Sequence, residues 1–188
     1  MELELITGNE GKFREGIEII PYLLQLDIDL PEIQSDDSKE VIRDKLERAQ
    51  KIKPGQEFAV EDTSLTLEAF NNLLPGPNIK WWLKALKCQG IYDRVHTLGQ
   101  YKAQAQTWIG YISKTGEIKY FCGKLDGTIV APNGTGGFGF DPIFKPHGYD
   151  ITLGQMTLEQ KNQISMRKHA FEDLKQYLLP DLQYSLCQ

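Results

Sequence analysis

The first stretch of the chain, LELITGNEGKFREGIEIIP at 3–21, constrains the fold most. Four residues, LELI, read as an apolar strand that stops at a glycine turn. Phe13, Ile17 and Ile20 then recur at i, i+4 and i+7, which is helical spacing, until Pro21 ends the run. A strand that turns directly into an amphipathic helix must lay that helix on a sheet face, so the chain begins as an α/β unit. The alternation continues. LDIDLPEI at 26–33 reads as a strand, and a D-x-x-E cap at Asp37 opens a helix to Lys53. EFAV at 57–60 is a second buried strand, running straight into EDTS. After a turn at LPGPN, a helix carries Ile79, Trp82, Leu83 and Leu86 on one face. Residues 103–112 and 117–130 read as long strands joined in a hairpin at SKTGE, and a loop at 131–150 leads to a last helix near 165–179. The expectation is one α/β domain over 1–188, with a mixed sheet flanked by helices.

A chain of 188 residues, 40% hydrophobic, can bury a proper core. Its net charge of −5, with no long block of like charges, leaves no footprint for duplex nucleic acid. Cys88, Cys122 and Cys187 form no C-x-x-C pair and read as reduced thiols. The acidic N-terminus lacks a signal-peptide core, and no apolar run reaches membrane-span length. A cytoplasmic protein with no membrane partner is expected.

Two glycine-bearing loops stand out. TGNEGK supplies Thr7, Gly8, Asn9, Glu10, Gly11 and Lys12 at a helix N-terminus. Backbone N–H groups and a lysine there suit phosphate oxygens, and the same residues would equally make a polar turn. NGTGGFGF contains G-x-G-x-x-G at 134–139, but Pro142 and Pro146 follow where a dinucleotide fold needs a helix. That loop instead places Phe138 and Phe140 where they could stack on a flat ligand, with Phe140 also readable as core.

VEDTS puts Glu61 and Asp62 at the end of a buried strand, where α/β folds hold their sites. Hard carboxylate oxygens there suit Mg²⁺, and a carboxylate can take a proton from water. Glu32, past another strand end, is a possible second ligand. Lys45 lies on the apolar line of Val41, Ala49 and Ile52, so it either snorkels or points into a cleft. Lys80, Lys84 and Lys87 share one helix face and read as solvated. Lys161 precedes the last helix. Carboxylates, scattered cations and glycine turns together are what a Mg²⁺-polyphosphate requires. No nucleophile–base pair is readable around Ser64, His96 or the cysteines, and His147 reads as structural or solvated, so water is the expected nucleophile.

The last helix opens in NQISMRKHAFEDL, with Ser165 as a possible cap and Arg167, Lys168 and His169 crowded at its positive end. Basic groups there imply a nearby anion. His169 shares a face with Asp173 and Gln176, away from Phe171 and Leu174, and is expected in solvent.

The stretches TGNEGKFRE, LPEIQ, VEDTSLTLEAFNNLLPGPNIKWWLKAL, GTIVAPNG…GFGFDPIFKPHGYDITL and EQKNQISMRKHA, in this order, resemble the inosine triphosphate pyrophosphatase family over nearly the whole chain. The resemblance implies a two-lobed α/β fold with a long curved mixed sheet, a homodimer, and a nucleotide held between lobes. It implies Mg²⁺-dependent hydrolysis of noncanonical purine nucleoside triphosphates (ITP, dITP, XTP) to the monophosphate and pyrophosphate. Carried over by position, Thr7 to Lys12 would cradle phosphates, and Glu32 and Asp62 would bind Mg²⁺, with Asp62 also activating water. Lys45, Thr63, Lys80 and Lys161 would hold the nucleotide, Phe138, Gly139, Phe140 and Asp141 its base, and Met166 and Arg167 would lie at the 6-keto edge.

Two positions depart from that pattern. The family has Ser-His-Arg where this chain has Ser165-Met166-Arg167, and a glutamate where it has Gln155. A thioether donates no hydrogen bond. Losing such a donor costs roughly 1–3 kcal/mol, about 5- to 150-fold in discrimination. The chemistry is expected to survive this, with altered base selectivity or bare nucleotide binding as the rival readings.

Overall fold

A computed structural model describes residues 2–185, with side chains described as far as residue 179; Cys187 lies outside the described residues. The described residues form a mixed sheet of seven strands: β1 Leu3–Ile6, β2 Leu23–Leu26, β3 Phe58–Leu67, β4 Pro75–Gly76, β5 Lys102–Ile112, β6 Ile118–Ile129 and β7 Phe144–Pro146. Their order is β2-β1-β3-β5-β6-β7, with β4 pairing beside β3. β1 pairs parallel with β2 and β3, while β3–β4 and β6–β7 are antiparallel. The helices are α1 Glu10–Ile17, α2 Ser38–Ile52, α3 Ile79–Leu98, α4 Leu158–Ile164 and α5 Met166–Ser185. No described helix is long and apolar enough to cross a membrane. The α/β class with a mixed, helix-flanked sheet is the one expected.

Several boundaries differ from the sequence reading. The second strand lies at 23–26 rather than 26–33, because Leu23 to Leu26 match Leu3 to Ile6 in register and the following DIDLPEI, 27–33, forms no strand. β3 does not stop at EFAV but runs through EDTS to Leu67, its far end pairing with β4. Ile52, expected on the apolar line of α2, is 57% exposed, and the buried line is Val41, Ile42, Leu46 and Ala49. α3 breaks at Lys87, whose φ of 58° and ψ of 175° are not helical. The loop at 131–150 contains β7, and the short helix α4 precedes α5.

The chain divides into two compact units. The first comprises residues 1–62, 107–123 and 167–188, and the second 63–106 and 124–166. In the first, Leu3, Leu5, Leu23, Ala59 and Ile109 pack with Ala170, Phe171, Leu174 and Leu178 of α5. A second cluster joins Ile42, Leu46 and Ala49 of α2 to Phe58, Val60 and Ile112. Helix α1 approaches α5 so closely that a Cβ at Gly16 would lie 2.8 Å from Phe171, so only glycine fits there. The core of the second unit gathers Leu65, Leu67, Ile91, Ile129, Phe140, Phe144 and Met166, among others.

Candidate active site

In the first unit, side-chain hydrogen bonds shape the turn from β1 to α1. Asn9 caps α1 in an extended conformation (φ −100°, ψ 106°), its side chain accepting the Lys12 N–H at 3.2 Å. Thr7 Oγ1 accepts the Asn9 N–H at 3.1 Å, and Gln25 donates to the Thr7 carbonyl at 2.9 Å. Two loop amides are therefore already committed to loop side chains. The Lys12 ammonium is committed too: it lies 2.6 Å from Glu61.

Glu61 and Asp62 are buried neighbours on β3, 5% and 6% exposed. β3 pairs with β1 only as far as Val60, so both stand just past the end of the parallel pairing. Successive strand side chains point to opposite faces, and these two do so with different company. Glu61 takes Lys12 from α1 and the Arg167 Nε of α5 at 2.5 Å. Burial alone would raise its pKa, but the charges of Arg167 and Lys12 bring it down to about 2. Asp62 accepts a hydrogen bond from Ser38, the first residue of α2. Burial raises its pKa to about 6, against the pull of Ser38, Lys12 and Lys45 and with the push of Glu32. Its Oδ2 is buried without a hydrogen-bond partner. Lys45 lies 2.5 Å from Glu32, the lysine mostly buried and the carboxylate partly exposed. Lys45 therefore does not snorkel freely; it holds a carboxylate.

Arg167 is buried at 1% exposure, with Nε on Glu61 and Nη1 on Glu15, each at 2.5 Å. Burial works against its charge, and the two carboxylates more than offset that, raising its pKa above the ordinary value. The charge at the start of α5 thus meets protein carboxylates. His169, Asp173 and Gln176 are exposed, and Phe171 and Leu174 are buried, as their spacing predicts.

The second unit carries a different cluster. The Asp141 Oδ2 accepts the Phe138 N–H at 2.8 Å and the Lys161 ammonium at 2.6 Å. That ammonium also sits 4.4 Å from the centroid of the Phe138 ring. Gly137 has φ +69° and lies so near Asp141 that a Cβ would overlap the carboxylate, which accounts for glycine there. Lys161 is held by α4, whose capping box joins Thr157 and Gln160. Phe138 is half-buried and Gly139 exposed, whereas Phe140 is core at 5% exposure. The Cys88 thiol donates to the Gly139 carbonyl at 3.4 Å. Gln155 caps its own turn, accepting the Thr152 N–H at 3.0 Å. Its amide oxygen supplies the acceptor that a glutamate would, so that departure is structurally silent. Met166 is 2% exposed among apolar residues. Thr63 is half-buried beyond Asp62, and Lys80 is exposed over Trp81, its ammonium 5.6 Å from the ring centroid.

Sequence reasoning missed Glu15, Ser38 and the pairing of Glu61 with Arg167. Glu15 was visible only as a charge three residues after Lys12, and its partner is 152 positions further on. Ser38 hid beneath the more obvious cap at Asp37.

Among the described residues, no three or more His, Cys, Asp or Glu side chains form a metal cage. One or two carboxylates that share a cation with substrate phosphates are instead the usual protein share of a Mg²⁺ site. The orphaned Asp62 oxygen, with Glu32 near enough to perturb it, fits that description.

The Ham1 family model matches residues 3–177. An inosine triphosphate pyrophosphatase of Kluyveromyces lactis is 37% identical over 186 residues, covering 94% of this chain and 95% of the relative. One from Schizosaccharomyces pombe is 38% identical over 177 residues, covering 92% and 93%. A HAM1 protein structure from Coxiella burnetii superposes with a TM-score of 0.80 at 25% identity, covering 96% of this chain and 99% of that one. With the model matched over most of its length, the chain belongs to the Ham1 family.

Proposed function

We propose that this chain is a hydrolase that converts noncanonical purine nucleoside triphosphates, ITP, dITP and XTP, to the monophosphate and pyrophosphate. The names of its relatives from Kluyveromyces lactis and Schizosaccharomyces pombe, inosine triphosphate pyrophosphatase, support the activity. The single observation that carries it to residues is Asp62: a buried carboxylate with one unpartnered oxygen, and Lys12, Lys45 and Glu32 close enough to act on it.

In this reading Glu32 and Asp62 would hold Mg²⁺, which when bound neutralises phosphate charge. Lys12, Lys45 and the unengaged amides of the Thr7–Gly11 turn hold the polyphosphate. Asp62 keeps one buried oxygen without a hydrogen-bond partner, and that oxygen can accept a proton from water. The water oxygen bonds to the α-phosphorus, the bond from that phosphorus to the bridging oxygen breaks, and pyrophosphate leaves with that oxygen. Asp62 receives the water proton. Phe138, its ring backed by the Lys161 ammonium, takes the base by stacking, and Gly139 and Asp141 shape that platform. Phe140 supports it from the core. Thr63 and Lys80 are assigned to the nucleotide with them. A homodimer belongs to the same reading.

Met166 supports a second reading, altered base selectivity. At the position that would meet the 6-keto edge the chain has a thioether, 2% exposed in an apolar cluster. Pyrophosphate release from ITP, XTP, dITP, GTP, ATP and modified pyrimidine triphosphates, each with Mg²⁺, tests both. Preference for ITP and XTP supports the first reading. A flat profile, or preference for another modified base, supports the second, and binding without release of pyrophosphate contradicts both.

A further inference from the structure

Glu61 takes no part in the reaction step described above, yet two cations from two helices converge on it. Its Oε1 lies 2.6 Å from the Lys12 ammonium of α1, and its Oε2 lies 2.5 Å from Arg167 Nε of α5. Arg167 Nη1 returns to α1 by pairing with Glu15 at 2.5 Å. The series Lys12–Glu61–Arg167–Glu15 therefore leaves α1 through β3 and α5 and comes back to α1 one turn later. Burial is uneven along it. The side chains of Glu61, Arg167 and Glu15 are 1%, 1% and 3% exposed, whereas that of Lys12 is 23% exposed. Three members are sealed in, and the ammonium alone reaches toward solvent.

We propose that Glu61 is a positioning residue for phosphate binding: it holds the Lys12 ammonium at the mouth of the Thr7–Gly11 turn and is itself held by Arg167. This rests on the reading of Lys12 as a phosphate-binding group. An ammonium has three donors, so the contact with Glu61 leaves others for a phosphate oxygen. A lysine stem free in solvent loses rotamer freedom on binding, and a stem already anchored at its tip has lost it beforehand. Arg167 keeps the Glu61 carboxylate from turning, since its fork grips two carboxylates at fixed angles. The charge at the start of α5 thereby acts on phosphate at one remove, through Glu61.

The test is a double-mutant cycle on the full chain, read as the affinity for inorganic tripolyphosphate with Mg²⁺, which carries phosphate but no base. Glu61→Gln and Lys12→Met are each expected to weaken binding by roughly tenfold, and the double variant to be within about twofold of Lys12→Met alone. Glu61→Asp keeps the charge, so the Arg167 pair is not stripped of its counter-ion. It withdraws the oxygen from Lys12 and is expected to weaken binding too, which keeps the test open where Glu61→Gln fails to fold. With ITP, Glu61→Gln is expected to raise KM more than it lowers kcat. Losses that multiply between Glu61 and Lys12 overturn the proposal, as does wild-type tripolyphosphate affinity in a folded Glu61 variant. Pyrophosphate release from ITP by the unaltered protein is scored separately. Its absence contradicts the proposed function, while the binding cycle still decides the role of Glu61.

Discussion

The Lys161 ammonium is gripped between the Asp141 carboxylate, 2.6 Å away, and the face of the Phe138 ring, 4.4 Å from its centroid. Both charged side chains are 4% exposed, so neither charge can fall back on water. Removing one member of such a pair leaves the other uncompensated, at about 3–5 kcal/mol. Asp141→Asn keeps an acceptor for the Phe138 N–H but loses the charge, and it is expected to lower unfolding free energy by that order. Denaturant titration measures it, and a change within about 0.5 kcal/mol would contradict the pair's weight.

Phe138 gives a prediction specific to the base. Stacking on an aromatic ring is worth roughly 1–3 kcal/mol per base, so Phe138→Ala should raise KM for ITP by about 5- to 150-fold. Inorganic tripolyphosphate offers nothing to stack, and its affinity should stay at the wild-type value. Equal losses for both ligands would remove Phe138 from base recognition.

The two neighbouring carboxylates of β3 predict opposite pH responses of stability in the metal-free protein. Asp62 is raised to about 6 from 3.8, so the folded state holds its proton more tightly than the unfolded chain. Its contribution is present below pH 3.8 and is lost as pH rises through about 6, a loss of about 3 kcal/mol. Glu61 is lowered to about 2 from 4.5, so its contribution is present above 4.5 and is lost as pH falls toward 2. Asp62→Asn should therefore be more stable than wild type at pH 7 and lose the fall between pH 4 and 6. Urea unfolding across pH 3–8 checks both limbs; an unchanged slope between 4 and 6 in that variant would refute the Asp62 limb.

The roles proposed for Glu32 and Asp62 predict metal dependence. Chelation should abolish pyrophosphate release, and Mg²⁺ should restore it. Glu32→Gln should need on the order of tenfold more Mg²⁺ for half-maximal rate, at little cost to folding, because Glu32 is partly exposed. A Mg²⁺ titration that superposes on wild type would exclude Glu32 as a ligand.

Much of this arrangement is visible in sequence where the signal is local. Asp37 announces a helix start because a cap acts within three residues, whereas the Thr157 cap of α4 lies in a segment that reads only as the approach to the last helix. The hairpin strands and the exposure of His169 follow from period alone. What spacing cannot supply is the partner across the fold. Lys12, Glu61 and Arg167 each look like candidate ligand groups in isolation, and only their convergence shows two of them sealed in an ion-pair series. The second strand is misplaced for the same reason, since its register is set by pairing with Leu3–Ile6 and not by its own alternation. Likewise Met166 stands out as a departure from a pattern, but its burial depends on the apolar cluster that receives it.

The most direct test of the account is pyrophosphate release from ITP with Mg²⁺ by wild type and by Asp62→Asn, with folding checked by circular dichroism. Asparagine keeps the shape of the buried side chain and removes the oxygen that can take a proton or hold a metal. Turnover by wild type and a loss of about 10²- to 10⁴-fold in a folded variant are expected. Turnover by Asp62→Asn within a few fold of wild type would contradict the account.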